Sequence, residues 1–289
     1  MKFSLTMTFL VSLLVAGSAA LGQTSEIKVA ANSETTPLTQ TNVTNLTPEQ
    51  MAPKTFTLAL GMEYSQNIAV DERGARESST DFTILPTYQI SKLVSASIKS
   101  VVSKQNSGPR ETLLSDTQLS LGIQGVQINS ELESLHSIGG AVPTSEKSKV
   151  DRFQGGVSVT NGLRLTKTYV TLEYKLGLSR NFHEFTINPE GEPNVEYRLS
   201  NSLSVDVPLT EKFSISTVGV HRLGKTYRNF DRSAFEIHAD LNYAVSKQLT
   251  FNVGTSNEGS SLKSNGVDSN ITAYNEDTSV TRAGINLLF

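Results

Sequence analysis

The chain has no cysteine and no tryptophan, only eight tyrosines, and no marked excess of either charge. Each shortage excludes something. Without cysteine there is no disulfide framework and no thiol on which a lipid anchor could be built. An exported chain must then be held together by other means, and a sheet closed on itself within a membrane is one of them. A formal net charge of −3 over 289 residues provides no basic stripe for nucleic acid. No apolar run reaches the ~20 residues that a membrane-spanning helix requires. The missing Trp and scarce Tyr also leave thin the aromatic girdles expected where a protein crosses membrane boundaries.

What is present begins with Lys2, an apolar run from Leu5 to Ala16, and the small residues Gly17, Ser18, Ala19 and Ala20. This three-part pattern predicts a secretory signal peptide over residues 1–22, cleaved after Ala20 or Gly22. Its removal takes the charge of Lys2 with it, so that −3 becomes −4. Residues 23–53 are rich in Thr, Asn, Gln and Pro with no period, and are expected to form a flexible periplasmic segment. Asn42 and Asn45 each open a glycosylation triplet, a short and frequent pattern that carries almost no weight here.

Residues 54–289 alternate with a period of two, the mark of strands with unlike faces. Phe56, Leu58, Leu60, Met62 and Tyr64 share one face; Thr57, Ala59, Gly61 and Glu63 share the other. Val170, Leu172, Tyr174, Leu176 and Leu178 oppose Thr171, Glu173, Lys175 and Gly177, and Phe235, Ile237, Ala239, Leu241 and Tyr243 oppose Glu236, His238, Asp240 and Asn242. The pattern predicts about twelve strands, near 54–70, 79–90, 92–104, 112–127, 129–139, 149–163, 168–185, 194–208, 212–225, 231–245, 248–258 and 277–289. Tight turns are expected around Ser91, Asn129, Leu165 to Lys167, Thr210 and Ser246, alternating with longer polar loops around 71–78, 105–111, 140–149, 188–193, 226–232 and 259–277.

That rhythm separates two architectures. A soluble sandwich has no reason to alternate its loop lengths, whereas a transmembrane barrel has short turns at one end and long loops at the other. The fold class expected is all-β, an antiparallel up-and-down transmembrane β-barrel with both termini at the short-turn end. The final strand, with Thr281, Ala283, Ile285, Leu287 and Phe289 on one face, resembles the terminal strand of Gram-negative outer-membrane β-barrel proteins. The resemblance is architectural and covers the signal, the alternation and the ending. It implies a place in the bacterial outer membrane, contact with its lipid, and recognition of Phe289 by the barrel-assembly machinery.

With the apolar sides in lipid, the inner face would carry Glu63, Lys99, Asp116, Arg152, Arg164, Glu173, Lys175, Glu196, Arg198, Asp206, Glu236, His238, Asp240 and Arg282. Ion pairs between neighbouring strands account for most such residues singly. Taken together they make a wet lumen, and twelve strands lie between a side-chain-filled barrel and a wide pore. A narrow passive channel for ions or small solutes is therefore the leading expectation, without a cofactor. A sealed structural or surface-interaction barrel is the alternative.

Two chemical readings are weaker. Glu236, His238 and Asp240 at spacing two suggest a divalent cation, but such neighbours stand roughly 7 Å apart along a strand, too far for short side chains to converge. Outer-membrane hydrolysis needs a Ser and a His in reach; the chain offers His136 beside Ser137, and also His183, His221 and His238, but His136 and Ser137, like His183 and Glu184, point to opposite faces. No Gly-x-Ser-x-Gly elbow is present.

Overall fold

In the computed structural model the described residues are 56–70, 74–108, 110–123, 125–263 and 265–289. The expected signal peptide and residues 23–53 lie outside them. The strands are β1 (Phe56–Asn67), β2 (Ser78–Gln89), β3 (Val94–Gln105), β4 (Thr112–Leu114), β5 (Thr117–Ile123), β6 (Leu132–Val142), β7 (Phe153–Lys167), β8 (Val170–His183), β9 (Val195–Pro208), β10 (Phe213–Thr226), β11 (Asp231–Ala244), β12 (Leu249–Ser260) and β13 (Val280–Leu288). Each pairs antiparallel with its neighbours in chain order, while β4 and β5 both lie on β3 and together make one stave. β1 then pairs with β13 from Ala59↔Leu288 to Asn67↔Val280, which closes a twelve-stave barrel and leaves no free edge. Phe289 extends the seam, its N–H donating to the Leu58 carbonyl at 2.9 Å and its own carbonyl accepting from Leu58 N at 3.1 Å.

The core is inverted relative to a soluble domain. Among the described residues the buried apolar side chains are Val218 and Phe235, whereas Phe56, Ile84, Leu121, Val159, Leu178 and Val253 stand exposed on the outer face. Buried positions go instead to Glu236, Asp240, Asn252, Asn257 and Arg282. An apolar exterior around a polar interior is stable only where hydrocarbon replaces water outside.

Four short turns share one device. Ser91, Asn129, Thr210 and Ser246 each turn a side-chain oxygen back onto the backbone N–H groups two and three residues on, at 2.9–3.2 Å. These are the residues around which turns are expected from sequence, and the mechanism is the local one that favours Ser, Thr and Asn there.

Several boundaries differ from expectation. β7 runs through Lys167, so its turn to β8 is the two residues Thr168 and Tyr169 rather than Leu165 to Lys167. The connection expected over 226–232 is short, because Thr226 Oγ1 accepts from Phe230 N at 3.0 Å and Asn229 takes a left-handed backbone. The strand expected over 112–127 breaks at Ser115 and Asp116. In the loop expected over 140–149, Ser145 caps a one-turn helix, α1 (Glu146–Val150), by accepting from Ser148 N at 3.0 Å.

Candidate functional site

The barrel interior is built from two unlike walls. From β3 to β9 two adjacent rungs carry small residues: Ser95, Gly122, Ser137, Thr160, Gly177 and Ser200 in one, Ser97, Ser120, Gly139, Ser158 and Ser179 in the next. Side chains this short leave room beside the wall. The facing wall, from β10 through β13 to β1, carries long charged groups that reach inward.

On that charged wall the residues come together in two linked sets. Glu236 is wholly buried and takes Arg222 and His238 as partners, the carboxylate accepting from both. Arg282 holds Asp240 through Nε to Oδ1 at 3.0 Å and Nη2 to Oδ2 at 2.5 Å, and its Nη1 lies 3.7 Å from Glu63 Oε1. Gly254 stands between Asp240 and Arg282 in the register, and a Cβ there would fall 2.1 Å from Asp240 Oδ1. The glycine is what lets the pair pass over β12. Lys99, on β3, lies within electrostatic reach of Glu236, although five staves away in the order of the sheet.

A third set lies lower on the small-residue wall. Glu173 accepts from Arg164 Nε at 2.8 Å and also pairs with Lys175, while Arg164 reaches Glu133 at 3.5 Å. Arg198 follows Ser179 in its rung and lines a polar cleft of about 90 Å³ toward the long-loop end, together with Lys147, Asp151, Asn181, His183 and Arg232. Asp206 is buried opposite Ser216.

Three residues expected on the inner face are placed elsewhere. Asp116 sits at the break between β4 and β5, where its carboxylate accepts from Ser145 N at 3.0 Å and from Ser148 Oγ, tying α1 to the rim. Arg152 falls in the turn between α1 and β7, with φ of 55°. Glu196 is expected from alternation to face inward, but a register shift between β9 and β10 leaves it unmatched; its carboxylate accepts from Arg180 Nη2 at 2.9 Å. Arg180 lies over the rings of Phe182 and Tyr197, at 5.3 and 5.2 Å. Alternation counts residues and is blind to a bulge.

The ligating and catalytic readings find no geometry. Glu236 meets His238, nearer than the spacing along the strand predicts, but it also turns to Arg222 and Asp240 turns to Arg282, and among the described residues no group of three His, Asp or Glu side chains converges as a metal site. His136 is engaged at both ring nitrogens, Nδ1 with Asn161 Oδ1 at 2.8 Å and Nε2 with Ser134 Oγ at 3.1 Å. Ser137 faces the other way, in the rung with Thr160. His183 packs between Phe153 and Tyr227. Sequence reasoning missed Arg222 and Asp81, both on the inner face. Their positions in the alternation of β10 and β2 are the signal that could have found them.

A closed barrel with an apolar belt, short turns at one end and a charged interior is the architecture of an outer-membrane β-barrel. No protein-family model matches the chain, and no curated protein matches it. Among solved structures it is similar to an outer-membrane channel from Pseudomonas putida F1, with a TM-score of 0.58 at 10% identity over 84% of this chain and 100% of that one. It is also similar to the NanC porin, with a TM-score of 0.53 at 11% identity over 80% of this chain and 98% of that one. At such identities the likeness is one of fold. The fold is that of the outer-membrane porins and channels.

Proposed function

We propose that the protein is a narrow passive channel through which ions or small polar solutes cross the outer membrane, without catalysis or cofactor. The observation that carries this reading is the pairing of a wall of Ser, Gly and Thr with a wall of charged side chains. Small residues leave the path, and the charges opposite set what enters it. Glu63, Lys99, Arg164, Glu173, Lys175, Arg198, Asp206, Glu236, His238, Asp240 and Arg282 line it. The likeness to a channel and a porin supports the reading through the fold alone. Within the same proposal, Phe289 at the closing seam serves as the assembly signal, since the last strand to pair is the one left free for recognition until closure.

Purified protein in a planar bilayer tests this. Stepwise conductance that changes with Glu236→Gln or Arg198→Gln is expected. Silence from correctly folded protein overturns the channel. The complete burial of Glu236 favours a second reading, in which the belt seals the lumen and the barrel acts through its loops.

A further inference from the structure

The outer face is mostly apolar at mid-height, and where the rung Thr217↔Ala239↔Thr255↔Thr281↔Gln66 interrupts it, the Thr255 and Thr281 hydroxyls donate to backbone carbonyls of the barrel itself. A second rung that crosses five strands reads His136↔Asn161↔Leu176↔Asn201↔His221, from β6 to β10. All five side chains share the outer face, because register partners point the same way. Asn161 lies near the middle of the 15-residue β7, between Val159 and Leu163, and Asn201 near the middle of the 14-residue β9, between Leu199 and Leu203. A strand of that length tilted across a bilayer places its midpoint in hydrocarbon.

Both amides use only their oxygen within the barrel. Asn161 Oδ1 accepts from His136 at 2.8 Å, and Asn201 Oδ1 accepts from Tyr174 OH at 3.0 Å. Among the described residues no acceptor meets either Nδ2, and His221, next in the rung but itself buried, leaves Nε2 without a partner. Lipid chains offer no acceptor. An unsatisfied amide facing hydrocarbon costs several kcal/mol in general, which makes such a rung a poor surface for lipid and a good one for protein.

We propose that this face, centred on Leu176 between Asn161 and Asn201, is the interface with a second copy of this chain. The chemistry selects the occupant. Each amide oxygen keeps a second lone pair and each amide nitrogen keeps its hydrogens, so an asparagine facing an asparagine satisfies both. The rung carries no fixed charge that would call for an anionic headgroup or a charged partner. A surface that complements itself, presented at the same depth by the same barrel, is met by another copy.

The absence of cysteine makes the test direct. Leu176→Cys and, on the opposite side of the barrel, Ile84→Cys are made singly and treated with a short bis-maleimide in native outer membranes and in liposomes of purified protein. Heat-modifiable migration on gels verifies folding. A product of twice the chain mass from Leu176→Cys, and none from Ile84→Cys, is the expected result in both settings. Adding Asn161→Leu and Asn201→Leu to Leu176→Cys is expected to cut that product about tenfold, as two lost interhelical-strength hydrogen bonds in lipid imply. Equal or absent product from the two cysteine variants overturns the proposal. So does a product in native membranes whose mass shows a different protein, and so does cross-linking unaffected by the double asparagine change. Conductance plays no part in the readout, so the interface and the channel stand or fall separately.

Discussion

Arg282 of β13 grips Asp240 of β11 across the intervening β12, through two hydrogen bonds of 3.0 and 2.5 Å that pass over Gly254. The two charged side chains are 7% and 5% exposed, so the pair is effectively removed from water. A buried pair of this kind is weak as a source of net stability but costly to break on one side.

Arg282→Met is accordingly expected to destabilise the barrel by about 3–5 kcal/mol, because Asp240 and Glu63 lose their counter-charge together. Arg282→Met combined with Asp240→Asn recovers part of that loss. Urea unfolding in lipid vesicles, followed by tyrosine fluorescence, measures both; equal stability of the two variants would contradict the pairing.

Gly254→Val tests the same relationship from the middle. A Cβ at this position would meet Asp240 Oδ1 at 2.1 Å and the Ala239 carbonyl at 2.2 Å, and the latter is backbone that cannot swing aside. The expected cost is about 1–3 kcal/mol or more, as for overpacking a filled interior. Gly219→Ala, where a Cβ meets nothing within 4 Å, is the matched control and is expected to be nearly neutral.

Lys99→Glu places a second carboxylate within electrostatic reach of Glu236, in place of a cation. A unit charge acting at about 4 Å through water is worth about 1 kcal/mol, and reversing its sign doubles the change to about 2 kcal/mol, so the cation-to-anion permeability ratio is expected to rise roughly thirtyfold. Reversal potentials in a KCl gradient report it. An unchanged ratio with unchanged conductance would remove Lys99 from the path.

Asp116→Ala releases α1 from the rim. Its carboxylate accepts from both Ser145 N and Ser148 Oγ, and losing hydrogen bonds to a charged acceptor costs about 1.5–3 kcal/mol each where they are sheltered. Trypsin is expected to cut the folded variant at Lys147 or Lys149 while leaving the parent intact. The loop edge is the readout, and the barrel itself is expected to keep its melting behaviour.

Much of this molecule can be read from residue order alone, because a period of two is a local property. The faces of β8 and β11, the polar turn residues Ser91, Asn129, Thr210 and Ser246, and the closing strand through Phe289 all follow from neighbours within a few positions. Strand number and the inside-out distribution of apolar groups come with them. What a local pattern cannot carry is register. That Arg282 meets Asp240 over a glycine, that Lys99 faces Glu236 from five staves away, and that a bulge turns Glu196 to Arg180 depend on how distant segments align. The same alignment sets Asn161 and Asn201 in one rung on the outer face, where each alone looks like an ordinary break in an apolar run. Alternation decides which side of the wall a residue takes; only the closed sheet, by fixing the stagger of every strand against the next, decides which residue it meets there.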